Sequence, residues 1–241
     1  MRAMLPGNSA QNADRPHVLP RLLIDTAKIP GGGELRLIQR GTEFSIMLGA
    51  NELMNSRLKG SEEALASLSC DKILPRPQPR MLIGGLGMGF TLRAALAKLP
   101  ADASVTVAEF VSSVVAWARG PMAHIFDGCL DDPRATVAVE DVADLIGDVR
   151  SHYDAILLDV DNGPDGLTHP DNDRLYSRKG LIAAREALRP GGVLAVWSAA
   201  PDHAFKNRLI KANFEVEETV VRTNGERRGA RHIIWIAKRP S

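Results

Sequence analysis

The sequence predicts an α/β fold: a mostly parallel seven-stranded sheet with helices on both faces and a C-terminal antiparallel hairpin, plus a small N-terminal β-hairpin element. Three observations carry this. From residue 80 onward, short apolar strand segments alternate with helical ones, the rhythm of a doubly wound sheet. One of those strands runs directly into Gly84-Gly85-Leu86-Gly87-Met88-Gly89 and then into a helix. The last two strand segments, 216–221 and 232–237, are separated only by a loop containing Asn224-Gly225, so they pair antiparallel on an otherwise parallel sheet.

Residues 1–20 mix Pro, Asn, Gly and Asp without periodicity and read as a flexible N-terminal arm. Residues 21–75 hold the small β element and a helix. Leu35 and Leu37, then Phe44, Ile46 and Leu48, stand two apart around Arg40-Gly41-Thr42, the pattern of a hairpin. Ser61-Glu62-Glu63 opens a helix through Ala64, Leu65 and Leu68, its hydroxyl expected to cap and its carboxylates lying at the positive end of the helix dipole. Pro75, Pro77 and Pro79 follow as a stiff linker. Residues 76–241 read as the larger α/β domain. Its expected core strands are 80–83, 104–109, 136–140, 155–159 and 193–198, with helices at 91–98, 112–119, 142–149 and 177–188. The last of these ends at Arg189-Pro190-Gly191-Gly192, a strong stop, and a helix at 205–212 precedes the terminal hairpin.

Composition narrows the partners. Thirty Lys and Arg stand against 29 Asp and Glu, a formal charge of +1, so nothing favours nucleic acid or an anionic membrane surface and small molecules are the expected partners. Cys70 and Cys129 lie far apart with no metal-ligand spacing, which suits a reducing compartment and argues against a disulfide framework or a zinc site. No apolar run approaches the roughly 20 residues that span a bilayer, and the N-terminus lacks a signal-peptide pattern, so a cytoplasmic protein is expected. The exposed edge of the N-terminal hairpin offers a surface for a homodimer.

The residues that carry chemistry stand at strand ends. Gly84, Gly85, Gly87 and Gly89 let the backbone turn sharply and approach a ligand, and the helix from Thr91 offers free amide groups, so this turn is expected to hold a nucleotide. Glu109 ends the next strand, about 20 residues on, where a carboxylate can accept both hydroxyls of a ribose; a solvated strand-end carboxylate is the alternative. Asp141 can meet an adenine amino group or cap the helix that follows it. In Asp159-Val160-Asp161-Asn162-Gly163-Pro164-Asp165-Gly166 the carboxylates emerge at the carboxyl end of the sheet, where open α/β folds bind ligands. They can orient an amine nucleophile and accept its proton, build an Asx-rich turn, or ligate a divalent cation. His169 is a loop histidine that serves either as a base or as a solvated side chain. Arg93 is a donor contact or a salt-bridge partner, and Trp197-Ser198 is placed to wall an acceptor pocket. Val114 and Trp117 share one helix face and read as core, while Arg227, Arg228 and Arg231 read as a solvated hairpin tip.

The glycine turn with Thr91-Leu92-Arg93, then Glu109, Asp141, Asp159 with Gly163-Pro164, and Leu175-Tyr176, resembles the spermidine synthase (polyamine aminopropyltransferase) family, built on the Rossmann-like class I S-adenosylmethionine-dependent methyltransferase fold. The resemblance runs over roughly residues 35–194. It implies Glu109 on a ribose, Asp141 near adenine and Asp159 as the acid-base residue facing an acceptor amine; Asp161, Asn162 and Tyr176 are expected on the substrate side. Departures fall on the acceptor side. The chain has Leu48-Gly49 where the family carries an Asp before that glycine. Gly60-Ser61-Glu62 or Ser61-Glu62-Glu63 stands in place of Tyr-His-Glu, and Val111 replaces an Asp. Asp161-Asn162-Gly163 stands where an Asp-Pro step usually follows the catalytic Asp, and an insertion through Thr168-His169-Pro170-Asp171 precedes Leu175-Tyr176. The expected activity is transfer of an aminopropyl or related alkyl group to a small amine, with S-adenosylmethionine or its decarboxylated form as donor and no metal. The alternatives are an S-adenosylmethionine-dependent methyltransferase acting on another acceptor, a metal-assisted methyltransferase using Asp159, Asp161 and Asn162, and a non-catalytic nucleotide-binding partner.

Overall fold

A computed structural model describes residues 19–160, 172–223 and 229–241, and the chain forms two sheets. The first is a four-stranded antiparallel meander of β1 (Leu22–Lys28), β2 (Glu34–Arg40), β3 (Glu43–Leu48) and β4 (Asn51–Asn55). The expected hairpin is its central pair, with Leu37 opposite Ile46. Leu35, Leu37, Phe44 and Ile46 are buried together, which is why their alternation was readable. The outer strands escaped the pattern for local reasons. Leu22, Leu23 and Ile24 of β1 stay exposed and a bulge follows Leu23, whereas β4 is short and polar.

α1 (Gly60–Ile73) follows, burying Leu65, Ala66, Ser69, Cys70 and Ile73. The expected cap is corrected here: Lys59 holds the N-cap position, no side chain caps, and Ser61 lies inside the helix. The Gly60 N–H instead donates to the Thr223 carbonyl at 3.0 Å, so a distant chain segment satisfies the first turn and frees the serine hydroxyl.

The second sheet is built in chain order from β5 (Arg80–Gly84), α2 (Phe90–Lys98), β6 (Ser104–Ala108), α3 (Ser112–Arg119), α4 (Ala123–Phe126), β7 (Ala135–Ala138), α5 (Val142–Gly147) and β8 (Tyr153–Leu158). There follow α6 (Asn172–Tyr176), α7 (Arg178–Ala187), β9 (Leu188–Ser198), α8 (His203–Lys211), β10 (Glu215–Arg222) and β11 (Arg231–Lys238). The strand order is β10-β11-β9-β8-β5-β6-β7, with β11 antiparallel to both its neighbours and the other pairings parallel. All six residues of β8 are buried, as a strand covered on both faces requires. Met81, Ile83 and Leu157 face the core shared with α1, α2 and α3, whereas Leu82, Ile156 and Leu158 face the one under α5, α7 and α8. Cys70 and Cys129 are buried free thiols, each pushed up to about 11 by burial.

The largest boundary shift from the sequence expectation lies at β9. β9 begins at Leu188 and carries the Pro-Gly-Gly step within the strand as a bulge: Leu188 pairs with Tyr153, yet Val193 pairs with Ala155. The Gly191 N–H donates to the Arg239 carbonyl at 2.9 Å and the Arg239 N–H to the Gly192 carbonyl at 2.8 Å, closing the irregularity. Beneath it, fully buried Asp154 accepts from Arg76 at 2.8 Å, the Arg80 N–H at 2.8 Å and Arg189 at 2.9 Å. That carboxylate ties the proline linker, β5, β8 and β9 into one unit. The chain leaves β5 for β6 on one side and returns through β8 on the other, so the carboxyl ends of β5 and β8 flank the crevice where such sheets bind ligands. No helix among the described residues is long and apolar enough to cross a membrane.

Candidate active site

At that crevice lies a cavity of about 370 Å³, lined by residues from the N-terminal sheet, α1, the glycine turn and the ends of β6, β7, β8 and β9. Of the four glycines singled out by sequence, Gly85 and Gly87 line it. Gly85 has φ 91°, and an added Cβ would stand 2.6 Å from the Asp159 carbonyl oxygen, so only glycine lets the turn lie against the segment after β8. Gly84 and Gly89 serve behind it. The Gly84 carbonyl accepts the Asp159 N–H at 3.1 Å, and a Cβ on Gly89 would sit 2.5 Å from the Phe126 ring.

Glu109 is nearly sealed from solvent and braces the turn. It accepts the Leu86 N–H at 3.1 Å and the Val111 N–H at 2.9 Å. Burial pushes its carboxyl above the usual range, and these N–H donors pull it back. Asp141 takes the capping role, and its second oxygen is held by a salt bridge. One oxygen caps α5 by accepting the Ala143 N–H at 2.8 Å, the other accepts from Arg174 at 2.8 Å, and the residue lines the cavity.

Asp159 lies between the turn and α1. Thr91 donates to it at 3.2 Å, and its carboxyl is pushed up to about 7, first by burial and then by the charge of Glu62. Glu62, at the start of α1, is itself raised by burial and accepts the Ser61 hydroxyl at 2.7 Å. The charge of Glu62 thus helps Asp159 keep its proton up to about neutral pH. His232 of β11 and Trp197 of β9 complete this end, their rings edge to face at 4.6 Å.

Other expected residues fall elsewhere. Tyr176 is buried, meets Phe205 edge to face at 5.6 Å and donates to the Val160 carbonyl at 3.3 Å, so it touches the segment after Asp159 and is not among the cavity residues. Arg93 donates to the Ile125 carbonyl at 2.7 Å and does not line the cavity either. Val114 and Trp117 are core, as expected; the indole N–H of Trp117 donates to Asp25 of β1 at 2.7 Å. Asp161, Asn162, His169, Arg227 and Arg228 lie outside the described residues. Ser61 and Glu62 read from sequence only as helix-start residues, and His232, Thr223, Leu53 and Met54 have no assigned role there, yet all six line the cavity. For Glu62 the signal was present, a carboxylate at a helix start. For His232, one polar position in an apolar strand, there was none.

The strand order, the antiparallel β11 and the glycine turn at the switch point together define a class I methyltransferase-like α/β protein. Within that class the chain belongs to the spermine/spermidine synthase domain family, whose domain matches residues 62–215. It is 32% identical over 154 residues to a Pseudomonas aeruginosa protein named polyamine aminopropyltransferase 2, covering 59% of this chain and 42% of that one. Polyamine aminopropyltransferase 1 of Streptomyces coelicolor is 33% identical over 135 residues, 55% of this chain and 24% of its own. The matched segments therefore span less than half of these curated relatives. Among solved structures, a spermidine synthase in complex with the transition state analogue AdoDATO superposes with a TM-score of 0.70 at 18% identity, over 90% of this chain and 73% of that one. The Thermotoga maritima spermidine synthase gives a TM-score of 0.68 at 18% identity over 90% and 72%.

Proposed function

We propose that the protein is an aminopropyltransferase-type enzyme that moves an aminopropyl or related alkyl group from decarboxylated S-adenosylmethionine to a small amine. The observation that carries this reading is the charge of the cavity. Glu62, Glu109, Glu140, Asp141 and Asp159 line it, and no Lys or Arg does so among the described residues. A sulfonium and an amine are attracted there; a donor bearing a free carboxylate meets only like charge. Arg93, read from sequence as a candidate donor contact, is engaged with the Ile125 carbonyl.

In this reading Gly85, Gly87 and Glu109 receive the ribose side of the nucleotide, Asp141 the adenine side, and Asp159 the acceptor amine. Tyr176 supports the segment after Asp159 through Val160, and Asp161 and Asn162 belong to the acceptor side. The amine lone pair attacks the carbon bonded to sulfur, the C–S electron pair returns to sulfur as a neutral thioether, and a proton leaves the ammonium before attack. The protein contributes position and proton acceptance. The relatives' names, polyamine aminopropyltransferase, support the same reading. A cytoplasmic location belongs to it, supported by the two unpaired buried cysteines. So does a homodimer through the N-terminal sheet, supported by the exposed Leu22 and Leu23 on β1.

Calorimetric titration with S-adenosylmethionine, its decarboxylated form, methylthioadenosine and S-adenosylhomocysteine tests the reading. Methylthioadenosine and the decarboxylated donor are expected to bind at least about tenfold more tightly than the two carboxylate-bearing ligands, a difference of about 1.4 kcal/mol. Preference for S-adenosylhomocysteine would indicate methyl transfer, and absence of binding by all four would remove the nucleotide assignment.

A further inference from the structure

The acceptor end of the cavity contains a hydrogen-bonded chain that joins the start of α1 to the C-terminal hairpin. Ser61 Oγ donates to Glu62 Oε2 at 2.7 Å and lies 3.0 Å from His232 Nδ1. A hydroxyl has one proton. With Glu62 ionised that proton belongs to the carboxylate, so Nδ1 of His232 must donate to Ser61 and Nε2 is left with its lone pair. His232 lines the cavity, and Trp197 holds the ring at its edge.

The contact between α1 and the hairpin is itself tightly built. A Cβ on Gly60 would stand 2.6 Å from the Thr223 carbonyl oxygen and 2.9 Å from that of Arg222. The end of β10 therefore occupies the space that any side chain at residue 60 would need, and the hairpin brings the imidazole of β11 to the helix start. Ser61 is almost fully buried and its hydroxyl is used only within this chain.

Resting on the aminopropyl-transfer reading, we propose that His232 is a second proton acceptor of the site and that Glu62, Ser61 and His232 form a relay that removes the proton of the acceptor amine. The ammonium gives one proton to Nε2 of His232. The Nδ1 proton passes to Ser61 Oγ as the Ser61 proton passes to Glu62, so the imidazole is neutral again and Glu62 holds the proton. The neutral amine then attacks the carbon next to sulfur, the C–N bond forms, and the C–S pair goes to sulfur. Asp159, pushed up to about 7 and so only partly ionised at neutral pH, orients the amine through its carboxylate form and leaves part of the proton acceptance to the relay.

Charged groups surround His232 on each neighbouring element. They are Glu62, with Lys59 and Glu63 paired beside it, on and before α1, and Asp159 after β8. Arg222, donating to the Gly229 carbonyl, and exposed Arg231 lie at the open end of the hairpin. Burial alone lowers the affinity of His232 for a proton, which keeps it neutral and able to accept one at pH 7.

The test is the single-turnover rate of methylthioadenosine release from the decarboxylated donor with an α,ω-diamine, measured against pH for the wild type, His232→Gln, His232→Ala and Ser61→Ala. At pH 7 the rate of His232→Gln is expected to fall by about 10²-fold. Near pH 10, where about half of a primary amine is already deprotonated, the gap should close to within roughly threefold. Added imidazole should restore His232→Ala, and Ser61→Ala should show a smaller loss confined to the acid side. Methylthioadenosine affinity reports whether each variant retains its nucleotide half. A loss equal at all pH values and insensitive to imidazole, or no loss at all, overturns the relay and leaves aminopropyl transfer standing. A wild type that releases no methylthioadenosine overturns the transfer reading and the relay with it.

Discussion

Asp159 is the residue on which burial, a neighbouring carboxylate and a hydroxyl donor act together, and its behaviour with pH follows from them. Asp159→Asn is expected to abolish turnover while leaving methylthioadenosine affinity within about threefold, since the substitution keeps shape and removes only the ionisable group. Equal loss of both would remove its catalytic assignment. The same change alters stability in a defined direction. In the unfolded chain the group loses its proton near 3.8, in the folded protein near 7. Below 3.8 both states are protonated and nothing is lost. Between those values the unfolded chain ionises and the folded one does not, so the wild type becomes less stable as pH rises, and above 7 the deficit is constant. Asp159→Asn should therefore melt alongside the wild type at pH 4 and several degrees above it at pH 8. The position of Asp159, Glu109 and Asp141 at strand ends was legible in sequence. Their partners were not: Glu62 raises Asp159 and Arg174 pairs with Asp141 only because distant elements meet.

At the scale of elements, the cavity depends on a staple beneath it. Asp154 has its whole carboxylate engaged by two guanidinium groups and one backbone N–H at the amino end of β5 and β8. Asp154→Ala leaves Arg76 and Arg189 without their acceptor in a half-buried place and is expected to cost about 3–5 kcal/mol in urea denaturation. Nucleotide affinity of the folded variant should be unchanged, because the ligand end of both strands is opposite. The helices and parallel strands around this staple were readable because period and turn chemistry are local. Helix α3 was expected at the residues where it is found, and β5, β6 and β8 begin or end within two residues of expectation. Two misreadings share one cause. The Pro-Gly-Gly step after α7 reads as a stop, yet Arg239 supplies the backbone partners that keep it in β9. Ser61 reads as a cap, yet Thr223 satisfies the helix start.

For the whole molecule, β1 presents Leu22 at 53% and Leu23 at 58% exposure on the outer strand of the N-terminal sheet. An apolar, exposed outer strand is a template for pairing with another copy. Sedimentation of the wild type is expected to show a dimer, and Leu22→Lys together with Leu23→Lys a monomer of nearly unchanged melting temperature; a monomeric wild type would remove the dimer. What the sequence by itself determined was the alternation of strands and helices from β5 onward, the glycine turn and the strand-end carboxylates, since each is written within a few neighbouring residues. Only the tertiary structure decided the four-stranded N-terminal sheet, the bulge in β9 and the meeting of Ser61 with His232 across 171 positions. Burial and charge coupling depend on which distant elements close over a group, and no local pattern carries that.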